Sequence, residues 1–196
     1  ELADIGALMQ EIGRRVMVEA TGVAQSLNRL RPQRPLTVHV NISQRQLHHA
    51  GLLAGVDDAL AASGLDPQLL LLEVTERVLM DDQAAALRFA GDMHRRGVRV
   101  AIDNFGTAKS SVVHLGRLGL DLIKIDRGVV ARLPNDASAV AAVRSMVALA
   151  GALGLRITAE GIETGEQAAS LASLGCPQGQ GYWFSRATPA ALLPPY

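Results

Sequence analysis

Two kinds of hydrophobic pattern alternate along this chain. Between residues 3 and 30, Ile5, Leu8, Ile12, Val16, Ala20, Val23, Leu27 and Leu30 recur at intervals of three and four, which predicts an amphipathic helix. Pro32 and Pro35 end it. Leu36 to Ile42 reads as a short strand with Asn41 near its end, and Ser43 opens a polar helix start. Val56 to Ala62 predicts a short helix stopped by Gly64. Leu69 to Val74 is an apolar strand interrupted only by Glu73, and it finishes on Thr75 and Glu76. Asp81 and Asp82 favour a helix start, and that helix runs to Gly97. Val98 to Asn104 is the next strand, Ser110 to Leu118 a helix, and Leu120 to Ile125 a strand carrying Lys124. Ser138 to Leu153 is a strongly periodic helix closed by Gly154, followed by a strand from Leu155 to Ala159 that ends in Glu160. Thr164 and Gln167 have the spacing of a capping box for a helix that stops at Gly175. Gly181 to Phe184 reads as the last strand, and Pro189 to Leu193 as at most one helical turn.

Strand and helix in regular succession, without long irregular loops, predict a parallel sheet with crossover helices. A length of 196 residues suffices for one domain with a substantial core, and residues 1–196 read as a single domain. With 48% hydrophobic but only 3% aromatic residues, that core is aliphatic. Lys plus Arg equals Asp plus Glu at 19 each, so no bulk charge points to a DNA or RNA duplex or to an anionic membrane. No apolar run reaches the ~18 residues of a membrane span. The single cysteine, Cys176, excludes an internal disulfide framework and fits a cytoplasmic location; it reads as a structural thiol.

Polar side chains punctuate the strand ends: Asn41, Glu76, Asp103 with Asn104, Lys124, Glu160 and, near the last strand, Gln180. Oxygen-bearing groups at the end of a buried strand are costly unless something binds them. A hard divalent cation is the usual partner for a pair such as Asp103–Asn104. In a TIM-type (β/α) barrel the strand C-termini converge on one face, whereas an open flavodoxin-like sheet gathers its ligand groups at one switch point. Six polar strand ends in succession favour the barrel. The five histidines, His39, His48, His49, His94 and His114, have no metal-ligand spacing and read as surface or structural residues. Tyr182 and Trp183 are expected to pack at the final strand.

The segments VNISQRQL (Val40 to Leu47), LEVTE (Leu72 to Glu76), AIDNFGTAKSS (Ala101 to Ser111), LIKIDR (Leu122 to Arg127), AEGIET (Ala159 to Thr164) and QGYWFSR (Gln180 to Arg186) resemble, in order and spacing, those of the EAL-domain family. The resemblance implies a barrel that binds or hydrolyses cyclic di-GMP. It implies Asn41, Glu76 and Asp103 as ligands of a first divalent metal, Mg²⁺ or Mn²⁺, with Asp103 also facing a second. Asn104 stands at the family's second paired acid, and Glu160 is implied as general base or metal ligand. Lys124 resembles the lysine that contacts the attacking water or the phosphate. Glu163 resembles the acid that holds the loop after its strand, and Gln180 the glutamine near the active-site water.

Three departures qualify this. No Glu-Ala-Leu motif occurs in the sequence, so the first one or two strands of the barrel are expected to be missing from this chain. Asn104 replaces an acid, which should weaken the second metal site most. The Thr107-Ala108-Lys109-Ser110-Ser111 loop replaces a glycine with Ala108 and an aromatic with Lys109. They favour a regulatory domain that binds cyclic di-GMP with weak or no hydrolysis over an active phosphodiesterase producing pGpG, and the retained polar strand ends argue against a protein-interaction domain without nucleotide. The resemblance also leaves room for a homodimer and for upstream regulatory domains.

Overall fold

In the computed structural model, residues 2–106 and 112–193 are described. The long amphipathic helix forms as α1, Leu2–Arg29. It leads into β1, Val38–Asn41, the short helix α2, Gln44–Leu47, and α3, Leu52–Ser63. Ser43 and Gln46 form a capping box at α2, and Gly64 closes α3 in the left-handed conformation with φ 69°. Next come β2, Leu70–Thr75, α4, Glu76–Asp81, and α5, Gln83–Arg95. The predicted helix from Asp81 thus begins earlier and breaks at Asp82, whose side chain accepts from Ala85 N–H and caps α5.

The second half contains β3, Arg99–Phe105, α6, Val112–Arg117, and β4, Leu122–Ile125. It continues with α7, Arg127–Val130, α8, Ala137–Leu153, β5, Arg156–Ala159, α9, Gly165–Ser173, and β6, Gln178–Gly179. The Thr164–Gln167 capping box is present at α9. The last strand differs from expectation. It lies at Gln178–Gly179, and residues 181–184 form a turn in which Gly181 O accepts from Phe184 N–H. Gly181 crosses the backbone of Ile162 so closely that a Cβ would collide with it. Tyr182 and Trp183, expected to pack, are instead more than half exposed, as is Phe184.

Among the described residues the six strands are all parallel and lie in sequence order, β1-β2-β3-β4-β5-β6. The sheet is a half-barrel with helices outside. Alternation divides each strand between two faces. Val40, Leu70, Leu72, Val74, Val100, Ile102, Ile123, Ile125, Ile157 and Ala159 belong to the main core, which the helices share. The opposite face carries a small apolar layer, Leu71, Ala101 and Leu122, separate from that core. Two residues further along β2, β3 and β4 on this inner face stand Glu73, Asp103 and Lys124.

The ladder between β3 and β4 is irregular. Ile102 pairs with Ile123, but Phe105 pairs with Ile125, so β3 uses one residue more than its neighbour over this interval. The surplus falls at Asp103–Asn104, and Asn104 has a φ of 55°. This is a β-bulge, which re-aims the side chains around it. Asparagine tolerates the left-handed region better than most residues.

Candidate functional site

The inner face brings four charged groups together at the C-terminal ends of four strands. One carboxylate oxygen from each of Glu73, Asp103 and Glu160 lies within 4.8 Å of the others. Lys124 reaches into this group. Its Nζ lies 2.6 Å from Glu73 Oε2 and 3.9 Å from Asp103 Oδ1, and it is also ion-paired with Glu160. These side chains are nearly withdrawn from water, with exposures of 5% for Lys124, 4% for Glu73, 12% for Asp103 and 15% for Glu160. The three acids against one base leave an excess of negative charge in a place where unpaired charge is expensive.

The surroundings divide the acids. Burial pushes the Glu73 carboxyl up, but hydrogen bonds from His39 and Lys124 and their charges outweigh it and hold the group below its usual range. Glu160 moves the other way: burial raises it, Lys124 opposes, and the nearby Asp103 and Glu73 add to the rise. For Lys124, burial favours the neutral amine, while its bonds and attraction to Glu160 and Glu73 prevail and raise it. The site therefore holds one firmly ionised carboxylate and one that binds a proton more readily.

The predicted residues fall into distinct places. Asp103 and Glu160 are in the acid group, with Lys124 among them. Gln180 Nε2 donates to Glu160 Oε1 at 2.7 Å. Asn41 ends β1 and is in register with Glu73 on β2. Asn104 sits on the bulge, where its backbone N–H donates to Asp103 Oδ1 at 2.8 Å and its side-chain amide to Asp103 Oδ2 at 3.3 Å. Glu163 is exposed, and its backbone N–H donates to Gln167 Oε1.

Glu76, expected as a ligand of the first metal, lies outside the acid group. It is the first residue of α4, and its buried Oε2 accepts the Gly106 N–H at 3.0 Å, so it holds the turn after β3. The acid that β2 contributes is Glu73. The two differ because Glu73 is inside the strand, on the inner face with Leu71, whereas Glu76 follows the strand's end. A charged residue within an apolar run was the available signal. His39 is exposed, and its Nδ1 lies 2.7 Å from Glu73 Oε1. The altered loop with Ala108 and Lys109 lies outside the described residues. Cys176 is buried with its Sγ donating to Gln178 O, and burial pushes the thiol up, as suits a structural cysteine.

Glu73, Asp103 and Glu160 offer hard oxygen donors from three strands, a donor set that suits a divalent cation such as Mg²⁺, Mn²⁺ or Ca²⁺. The model of the EAL domain matches residues 2–187. The chain belongs to the EAL domain family. Among curated EAL relatives, the bifunctional diguanylate cyclase/cyclic di-GMP phosphodiesterase MucR of Pseudomonas aeruginosa is 42% identical over 156 residues, 80% of this chain and 23% of the relative. The cyclic di-GMP phosphodiesterase NbdA of the same organism is 35% identical over 192 residues, covering 98% of this chain and 24% of that protein. The chain thus spans about a quarter of these relatives.

Solved EAL structures agree in fold, which is TIM-type. The MucR phosphodiesterase in complex with c-di-GMP superposes with a TM-score of 0.88 at 39% identity, over 97% of this chain and 76% of that one. The manganese/cyclic di-GMP complex of Klebsiella pneumoniae BlrP1 gives 0.76 at 30% identity, over 88% of this chain and 44% of that one. No helix among the described residues is long and apolar enough to cross a membrane.

Proposed function

We propose that this EAL domain binds cyclic di-GMP at the inner face of its strand ends and serves as a regulatory module with weak or no hydrolysis. The observation that carries the reading is the cluster of Glu73, Asp103 and Glu160 around Lys124, on a fold whose solved relatives include complexes with that dinucleotide. Glu73, Asp103 and Glu160 would hold Mg²⁺ or Mn²⁺, and Asn41, in register with Glu73, stands where an amide oxygen can join them. Such an ion supplies charge neutralisation of a phosphodiester and acidifies a bound water. Lys124 offers its ammonium to a phosphate oxygen. Gln180 Nε2 donates to Glu160 Oε1 and orients that carboxylate.

The case for weak turnover rests on Asn104. It brings no negative charge to the bulge, where its side-chain amide donates to Asp103 Oδ2. The second reading, an active phosphodiesterase yielding pGpG, is favoured by the three acids gathered with Lys124 and by Glu160 held by Gln180. Incubation with cyclic di-GMP and Mg²⁺ or Mn²⁺ separates the two. Binding without pGpG supports the receptor. Turnover at about 1–10³ s⁻¹ refutes it. Absence of both would leave a protein-interaction domain. An Asn104→Asp variant is expected to raise metal-dependent pGpG formation.

A further inference from the structure

We propose that His39 is a positioning residue that fixes the Glu73 carboxylate for cation binding. The proposal rests on the metal reading above and concerns how this chain shapes one of the ligands. His39 and Asn41 share a face of β1, because they are two residues apart on a strand, while Val40 between them is in the main core. The register sets His39 beside Leu71 and Asn41 beside Glu73. From there the imidazole reaches forward, with Nδ1 2.7 Å from Glu73 Oε1.

An ionised carboxylate only accepts hydrogen bonds, so this contact requires the proton on Nδ1. The other oxygen, Oε2, takes the Lys124 ammonium at 2.6 Å. The terminal torsion of glutamate is soft and broad, so a carboxylate held at one oxygen can still rotate. Held at both, by side chains from β1 and β4, it is fixed in plane. Each oxygen still has lone-pair capacity for a cation, since a carboxylate offers about four acceptor sites. His39 thus orients the ligand without occupying the cation's place. Partners of this outer kind are typically worth about 10–100-fold in metal affinity.

The test is Mn²⁺ titration, by calorimetry and by the electron paramagnetic resonance of free Mn²⁺, on the wild type, His39→Ala and His39→Asn. An asparagine amide can take the place of the Nδ1–H donor, so H39N should recover most of the affinity that H39A loses. The expected loss in H39A is about 10–100-fold. Thermal unfolding in chelator checks that each variant folds, and H39N keeps the test decisive if H39A does not. Nitrogen-15 shifts of the metal-free wild type should show the proton on Nδ1. The proposal is overturned if H39A binds Mn²⁺ as the wild type does, if folded H39N is as weak as H39A, or if the proton sits on Nε2. It is equally overturned if the bound Mn²⁺ shows a nitrogen coupling lost in H39A, which would make His39 a ligand. A wild type that binds no Mn²⁺ brings down the metal reading itself, and the role of His39 with it.

Discussion

Removing the charge of Lys124 should unmask the repulsion that the acid cluster contains. The substitution is Lys124→Met, which keeps the length and the apolar stem. In the wild type the ammonium pairs with Glu73 and Glu160 and lies 3.9 Å from Asp103 Oδ1. Without it, three carboxylates face one another within 4.8 Å. At that separation each pair of charges repels by about 3–4 kcal/mol at an effective dielectric of ~20. The chain will not bear three such terms, because a proton taken up from water relieves most of them. The net cost is then that of breaking a buried ion pair from one side, ~3–5 kcal/mol. For a chain of this size each kcal/mol lowers Tm by about 2–4 °C, so a fall of ~6–20 °C is expected. The assay is chemical and thermal unfolding in chelator, at neutral and at acidic pH. The deficit should shrink in acid, where the carboxylates protonate. Added Mn²⁺ should raise the stability of K124M more than that of the wild type, since the ion finds oxygens no longer bonded to an ammonium. A variant as stable as the wild type in chelator at neutral pH, or a deficit that ignores pH, would refute the reasoning.

Three further outcomes are expected. The folded Glu160 carboxyl is raised, so its contribution to stability is full below the unfolded value and is lost as pH rises through the folded one. Relative to the wild type, Glu160→Gln should therefore gain stability between acid and neutral pH, read as the change in the difference between two urea curves. Glu76→Ala should leave the Gly106 N–H without its partner and cost about 1–3 kcal/mol, with faster amide exchange at Gly106. Ile123→Ala, on the fully buried outer face of β4, should cost ~2–5 kcal/mol in denaturant unfolding and leave Mn²⁺ binding unchanged.

Much of the architecture was legible because both periodicities are clean. The apolar runs at β2, β3 and β4 stand out, and the caps at Asp82, Thr164 and Gly154 are read from local chemistry. Strand ends gave Asp103, Lys124 and Glu160 correctly as neighbours. Glu73 is hard to single out for a physical reason: β2 is apolar on both faces, with Leu71 inside and Leu70, Leu72 and Val74 outside, so no alternation marks the inner side. Glu76, further along the chain at the strand's terminus, fits the expected ligand position better but is turned to the loop. His39 could not be assigned without knowing which strand lies beside β1. The aromatic run at Tyr182 to Phe184 has strand propensity, but the approach of Gly181 to Ile162 bends it into a turn.

The bulge in β3 has a consequence for how this site can vary. At a φ of 55°, position 104 admits glycine, asparagine and aspartate at little cost and resists branched side chains. Two of those three residues have the same shape and differ by one heteroatom and one charge. The backbone therefore separates two properties that are usually tied together: the local electrostatics can be reset while the strand, its register and the acids beside it stay where they are. A neutral and an anionic version of the same cleft are one substitution apart, with no backbone barrier between them, and the cost falls on the charge alone.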